Sequence, residues 1–242
     1  MAGPKTMSGA GKLYGVGVGP GDIELLTLKA ARLLSEVKII AYPAANGGES
    51  LARRIVAPLI PENAREMPIA IPMEEGRDAA RSAYDAAAQS IAGHLRQGSD
   101  VLFLCEGDPF FYGSFMFIHE RLGSSFETII VPGVTSLTAC ASVLGRPLAA
   151  RNEVLKIVPA PLPEERLRAE LQHAEAAAII KIGRHFDKVR KVLCDLNLAA
   201  RACIVERATQ GDQRITPMNN MAPGDRPYFS TILIYNGSEQ WR

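Results

Sequence analysis

Three short stretches hold residues whose spacing could do chemistry: "GVGVGPGD" (15–22), "CEGDPFFYG" (105–113) and "VPGVTS" (131–136). In the first, Gly15, Gly17, Gly19 and Gly21 alternate, with Pro20 among them. A dinucleotide fingerprint needs G-x-G-x-x-G and an acidic residue about 20 positions on for the ribose. Counting from Gly15, the third glycine falls on Pro20; counting from Gly17, it falls on Asp22. The next β-rich run ends "AYP", with no carboxylate. A nicotinamide site is disfavoured on both counts. A Walker A loop fails too, because no GK[ST] follows and Lys29 lies within a helical pattern. What remains is a strand-to-helix turn made bare by glycine and stiff by Pro20, which fixes its φ and lacks an N–H. Such a turn either relieves steric strain or lets a ligand approach the backbone closely.

The second stretch follows a run too apolar to be exposed. Asp108 in its Gly-Asp-Pro turn could accept hydrogen bonds from ligand hydroxyls or an ammonium, or simply close the turn on its own backbone. Phe110, Phe111 and Tyr112 are three consecutive aromatics. They read as packing between domains or as a flat apolar wall for a large ring. Cys105, Cys140, Cys194 and Cys203 form no CxxC and no zinc-like spacing with histidine. Buried or partly buried free thiols are expected, as in a reducing compartment. His94, His119 and His173 read as helix-face residues, and nothing places a metal at any of them.

The elements that must position these loops alternate strand and helix. Strands are expected at "KLYGVGV", "VKIIAYP" (stopped by Pro43), "EMPIAIP", "DVLFLCEGDP" and "FETIIVPG". Helices are expected at "TLKAARLLSEV", "GESLARRIVAPLI" and "GRDAARSAYDAAAQSIAGHLRQG". In the first, Thr27 is the N-cap and Leu28, Ala31 and Leu34 share a face; the last is closed by Gly98. Alternation of this kind predicts a parallel sheet covered on both faces, with ligands at the carboxyl ends of its strands. "VPGV" reads as a hinge, and the helix "TSLTACASVLG" after it stops at Gly145. The second half reads strand, helix, strand, helix, then three β-rich runs, "ARACIVERA", "QRITPM" and "YFSTILIYN", whose short connections favour antiparallel pairing. The fold class is α/β. A tail (1–11) precedes an N-terminal domain (12–131) with a mostly parallel sheet and a C-terminal domain (132–242) with a mixed one.

Composition agrees with a globular chain: 242 residues, 47% hydrophobic, 22% charged, net charge +1. No basic stripe invites nucleic acid, and no apolar run approaches a membrane span. A cytoplasmic location is expected.

"GVGPGDIELLT", "CEGDPFFYG", "VPGVTS" and the late "ERATQGDQR" occur in the order found in the tetrapyrrole methylases, which the chain resembles from about Lys12 to its end. The segment "AYPAANGGESLARRIV" tips the resemblance toward the branch that methylates precorrin-2 at C-20 in cobalamin biosynthesis. The resemblance implies two α/β domains with a cleft between them, S-adenosyl-L-methionine as cofactor, a tetrapyrrole substrate and a homodimer. It implies cofactor contacts at Pro20, Glu106, Gly107, Asp108, Phe111, Thr135, Ser136, Ile182 and Ala208, and near Ser230 and Thr231. Two positions depart from the family pattern: Ile23, where proline is frequent, and Ala208, where glycine is common.

Methyl transfer from a sulfonium needs alignment above all, and a reduced tetrapyrrole's meso carbon is itself nucleophilic. Tyr112, Glu106 and Tyr228 are candidates to take the proton released afterwards. Precorrin-2 carries eight carboxylates, for which Arg53, Arg54, Arg151, Asn152, Arg184 and His185 are candidate partners, with ordinary solvated charge as the other reading of each. Rival readings are a cobalt-bearing substrate, a ribosomal RNA 2′-O-methyltransferase or diphthine synthase of the same superfamily, and a non-catalytic module that binds a nucleotide or porphyrinoid.

Overall fold

A computed structural model describes residues 9–45, 48–72 and 77–237. Asn46, Gly47 and Gly76, and most of the expected tail, lie outside the described residues. Gly11 is held already, its amide donating to the Leu95 carbonyl at 2.8 Å. The chain divides into two compact units, Met1–Thr135 and Ser136–Arg242.

The first unit is a five-stranded, all-parallel sheet in the order β3-β2-β4-β1-β5. The strands are β1 Leu13–Gly17, β2 Ile39–Ala45, β3 Arg65–Ile71, β4 Val101–Cys105 and β5 Thr128–Val131. Alternation sends Val16, Ile40, Tyr42, Leu102 and Leu104 to one face, packed on α1 (Leu28–Glu36) and α2 (Leu51–Val56). Leu13, Ile39, Ala41, Val101, Phe103 and Cys105 go to the other, under α3 (Arg77–Arg96) and α4 (Phe115–Leu122). β4 is buried along its whole length, as its apolar run requires.

Three local expectations change. Thr27 does cap α1, its Oγ1 accepting from the Ala30 amide at 3.2 Å, but the apolar face is Ala30, Leu33 and Leu34. Leu28 is 91% exposed. At about 100° per residue Leu28 stands roughly 200° from Ala30, on the far side of the helix. Pro43 does not stop β2, which pairs with β3 through Ala45. Its pairing with β4 ends at Ala41, so Pro43 needs no ladder partner on that side. α4 answers to no separate expectation; it buries Phe115, Ile118 and Leu122, an i, i+3, i+7 stripe.

The second unit holds α5 (Ser136–Leu144), α6 (Glu164–Leu171), α7 (Phe186–Asp195) and a mixed sheet ordered β6-β7-β10-β8-β9. β6 (Leu155–Pro159) and β7 (Ala176–Ile180) run parallel; β8 (Ala202–Glu206), β9 (Arg214–Pro217) and β10 (Ser230–Tyr235) pair antiparallel. The last strand inserts between β7 and β8 rather than beside β9. Ile179, Ile204, Ile232 and Ile234 form one buried face against Leu167, Leu171, Phe186, Val189 and Leu193. α7 turns Cys194 outward, so that thiol is exposed, against expectation; all four cysteines are free. No helix among the described residues is long and apolar enough to cross a membrane.

Candidate functional site

The ends of β4, β1 and β5 are neighbours, and their loops cross with backbone against backbone. Val18 N–H donates to Cys105 O at 2.9 Å, and Gly19 and Gly107 exchange two bonds, 2.8 and 3.3 Å long. A Cβ on Gly17 would lie 2.7 Å from Gly133 N and 2.8 Å from Gly133 Cα, and would overlap Gly107 O. A Cβ on Gly133 would overlap Gly107 O as well, and lie 2.9 Å from Gly17 Cα. No side chain fits at either place. The alternating glycines thus serve close approach within the protein: Gly15 makes room for the Phe115 ring, and Gly19 turns the chain at φ +78°. Pro20 is buried behind the crossing.

The next loop curls on Asp108. Its Oδ1 accepts from Phe110 N at 2.9 Å and Phe111 N at 3.0 Å, and its Oδ2 accepts from Gly133 N at 3.1 Å. The turn-closing role is present, and a bond to the β5 loop is added to it. The curl throws the aromatics outward. Phe110 is 47% and Tyr112 44% exposed, and Phe110 stacks edge-on to His119. Tyr112 has φ +56°, a left-handed backbone unusual for an aromatic. Thr135 closes the group, its Cα 3.8 Å from where a Gly107 Cβ would stand.

Glu106 continues the face of Leu102 and Leu104, so its carboxylate reaches α2. Oε1 accepts from the Ala52 amide at 3.2 Å. Burial raises the Glu106 carboxyl above the usual carboxylate range, against the bonds from its own amide and that of Ala52. Burial pushes the neighbouring Cys105 thiol up to about 12, with the Glu106 charge adding to the shift. On the outer side of α2, Arg53 forks onto Glu66 (2.9 and 3.0 Å), and Tyr42 donates to Glu66 at 2.8 Å. Arg53 is thereby tied to the edge strand of the first sheet, and the exposed Arg54 has Glu49 3.9 Å away.

In the second sheet β10 runs opposite to β7 and β8. Its first residues therefore lie at the carboxyl ends of those strands, with Ser230 opposite Glu206. That register brings Ile182, Ala208, Ser230, Thr231 and Tyr228 to one edge, with Arg184 and His185 following Ile182. Arg151 and Asn152 precede the opposite end of β6, so the sheet does not gather them there. Ile182 and Ala208 are buried. Gly183 has φ +40° and nothing within 4 Å of where its Cβ would be. Lys181, Arg207 and Thr209 also have positive φ (58°, 50° and 65°), costly for residues with side chains. Ser230 turns its hydroxyl to Pro227 O at 2.6 Å, and Thr231 bonds to the Cys140 thiol, which burial pushes up to about 11. Tyr228 is 52% exposed beside Phe229.

Residues 12–220 match the family model described as Tetrapyrrole (Corrin/Porphyrin) Methylases. The chain belongs to the tetrapyrrole methylases. Over 93% of its length it is 37% identical to a precorrin-2 C(20)-methyltransferase of Sinorhizobium sp, covering 96% of that protein. Over 96% it is 30% identical to the cobalt-precorrin-2 C(20)-methyltransferase of Salmonella typhimurium, covering 98% of it. It is 39% identical to cobalamin biosynthesis protein CobIJ of Mycobacterium tuberculosis, but spans only 47% of that protein's length. Among solved structures, uroporphyrin-III C-methyl transferase from Thermus thermophilus, complexed with S-adenosyl homocysteine, superposes with a TM-score of 0.68 at 26% identity. The match covers 94% of this chain and 98% of that one.

In this tetrapyrrole methylase, several residues that shape the loops and edges of the two sheets stood outside the candidate residues. Gly133 was readable only as a turn, because its φ is unremarkable and its need for a bare Cα arises from Gly17 and Gly107. Tyr42 and Glu66 lie 24 positions apart, with no local pattern to join them. Thr209 carried no signal beyond its neighbours in "ERATQGDQ". Among the described residues, no group of three or more His, Cys, Asp or Glu could hold a metal ion.

Proposed function

We propose that this chain transfers a methyl group from S-adenosyl-L-methionine to the C-20 meso carbon of precorrin-2, giving precorrin-3A in cobalamin biosynthesis. The observation that carries the reading is the match, along nearly the full length of both chains, to two proteins named for methylation at C(20). The residues fit such a cofactor. The first sheet offers a stiff loop edge built on bare backbone, and the second offers open space beside Gly183. Pro20, Glu106, Gly107, Phe111 and Thr135 are proposed contacts of the cofactor, with Asp108 beside them. Ser136, Ile182, Ala208, Ser230 and Thr231 are the further proposed contacts.

When bound, S-adenosyl-L-methionine supplies an electrophilic methyl on a positively charged sulfur. The remaining work falls to the chain. Displacement in line needs the nucleophilic carbon held about 3 Å from the methyl. The glycine crossing suits that task, because a rigid edge loses no further freedom when ligands dock. As the new carbon–carbon bond forms, the sulfur–methyl bond breaks, and the hydrogen on C-20 later leaves as a proton. Glu106 is the proposed acceptor: a carboxyl raised by burial is a better base than an exposed one. Tyr112 and Tyr228, both exposed aromatics beside candidate loops, are the alternatives. Arg53, Arg54, Arg151, Asn152, Arg184 and His185 are the proposed partners of the substrate carboxylates, and a homodimer is the proposed assembly.

The test is turnover. Incubation with precorrin-2 and methyl-labelled S-adenosyl-L-methionine should put label on C-20, with the cobalt-bearing substrate run in parallel. Cofactor binding without transfer to either tetrapyrrole would sink the proposal in favour of a binding module. Sedimentation equilibrium showing only monomer would remove the dimer.

A further inference from the structure

We infer that Asp108 is a positioning residue that clamps the β4 loop to the β5 loop across the glycine turn of β1, acting on the cofactor through backbone rather than by touching it. The inference rests on the methyltransferase reading above. An ionised carboxylate only accepts, and each of its oxygens is already aimed at this chain's own amides. Oδ1 takes Phe110 N and Phe111 N (2.9 and 3.0 Å); Oδ2 takes Gly133 N (3.1 Å), 25 positions away. Charge-assisted bonds of this kind are stronger than those between neutral groups.

The crossing needs such a tie. Gly17, Gly107 and Gly133 meet without side chains, so no apolar packing of their own holds them together. Gly107 is secured to Gly19 by two bonds, which joins the β1 and β4 loops. The Asp108 carboxylate adds a bond to the β5 loop beyond its pairing with β1, close to the segment leading to Thr135. A carboxylate that swung toward a ligand ammonium would release Gly133 and loosen the edge it is meant to hold.

The test uses the full chain. Asp108→Asn keeps one oxygen for Phe110 and Phe111 but turns an NH2 group toward Gly133 N–H. Amide exchange at Gly133 should accelerate at least tenfold, while exchange at Phe110, Phe111 and, in the second sheet, Ile179 holds. The dissociation constant for S-adenosyl-L-homocysteine should rise about tenfold, the scale of one good hydrogen bond. Asp108→Ala should weaken binding as much and also free Phe110 and Phe111. Lost affinity with Gly133 still protected would mean that Asp108 touches the ligand and overturns the inference. Lost protection with unchanged affinity would overturn it too, since the clamp would then be structural only. A measurement on the unaltered chain guards against variants that fail to fold. Saturating S-adenosyl-L-homocysteine should leave Gly133 exchange as slow or slower, and acceleration would show the carboxylate turning away. If the unaltered chain binds no S-adenosyl-L-homocysteine, the methyltransferase reading itself fails, and this inference with it.

Discussion

The two sheets weight two means of shaping their carboxyl-end loops differently. In the first, backbone is exposed by removing side chains: Gly17, Gly107 and Gly133 touch where no Cβ fits. In the second, Lys181, Arg207 and Thr209 keep their side chains at positive φ, as Tyr112 does in the first. The glycine solution costs chain entropy in the unfolded state, whereas the second stores strain in the folded one. The first edge is therefore intolerant of added atoms, and the second should tolerate removing them.

The largest effect should come from Gly133→Ala. The added methyl would overlap the Gly107 carbonyl and crowd Gly17, both of them backbone with nowhere to retreat. A loss of about 3 kcal/mol or more is expected, at the high end for a single added carbon in a packed site. The units can be watched separately, because each has one deeply buried thiol: Cys105 in the first and Cys140 in the second, both raised by burial to values (about 12 and 11) at which the thiolate is scarce. Exposed Cys194 should react with a thiol reagent first in every variant. Gly133→Ala should then speed labelling of Cys105 and leave Cys140 slow. Equal acceleration at both would mean that the two edges are not independent, and the contrast drawn above would fail.

How far the sequence could foresee this depends on range. The strands and helices were legible because β4 is a continuous apolar run and burial recurs with helical period on α7. The Asp108 turn was legible because an aspartate bonding two residues ahead is a local event. The register that sends β10 between β7 and β8 was not. "QRITPM" and "YFSTILIYN" are consecutive and read as partners, yet Ile232 and Ile234 are claimed by the α6–α7 face, where β10 is buried on both sides. The Arg53–Glu66 pair was not legible either. An arginine after "GES" looks solvated until the edge strand carries Glu66 beneath it.

A middle-sized effect is expected at that triad. Glu66 sits below its ordinary value of 4.5, chiefly through the Arg53 bonds, with Tyr42 helping. A depressed folded pKa stabilises above the unfolded value, and the gain fades as pH falls through the folded one. The Arg53–Glu66 contribution should be complete at pH 7 and lost below about pH 4, in the acid limb of a stability–pH curve. Both side chains are partly exposed (41% and 28%), so solvent screening holds the effect of Glu66→Gln to about 1 kcal/mol. The acid limb should flatten correspondingly. A variant with the same acid limb as the parent would show that the Arg53–Glu66 pair adds nothing to stability.

The smallest effect tests the second edge. Thr209 is β-branched at φ +65°, where a side chain costs about 1–2 kcal/mol. Its amide is nevertheless held by Gln213 Oε1 at 2.7 Å, and the turn continues from Arg207 O to Gln210 N at 3.0 Å. Those bonds use backbone on the Thr209 side and would survive loss of its side chain. Thr209→Gly removes the strain but adds freedom to the unfolded chain, which offsets roughly 0.5–1 kcal/mol. The balance is a gain of about 0.5–1 kcal/mol, read as slower Cys140 labelling with Cys105 unchanged. If methyl transfer then falls although the unit is more stable, the strain is holding the loop in a shape the ligand needs. If activity is unchanged, the positive φ at Thr209 is only the cost of turning from β8 toward β9. A loss of stability would mean that the threonine side chain offsets its own strain, and the contrast between a bare edge and a strained one would not extend to this residue.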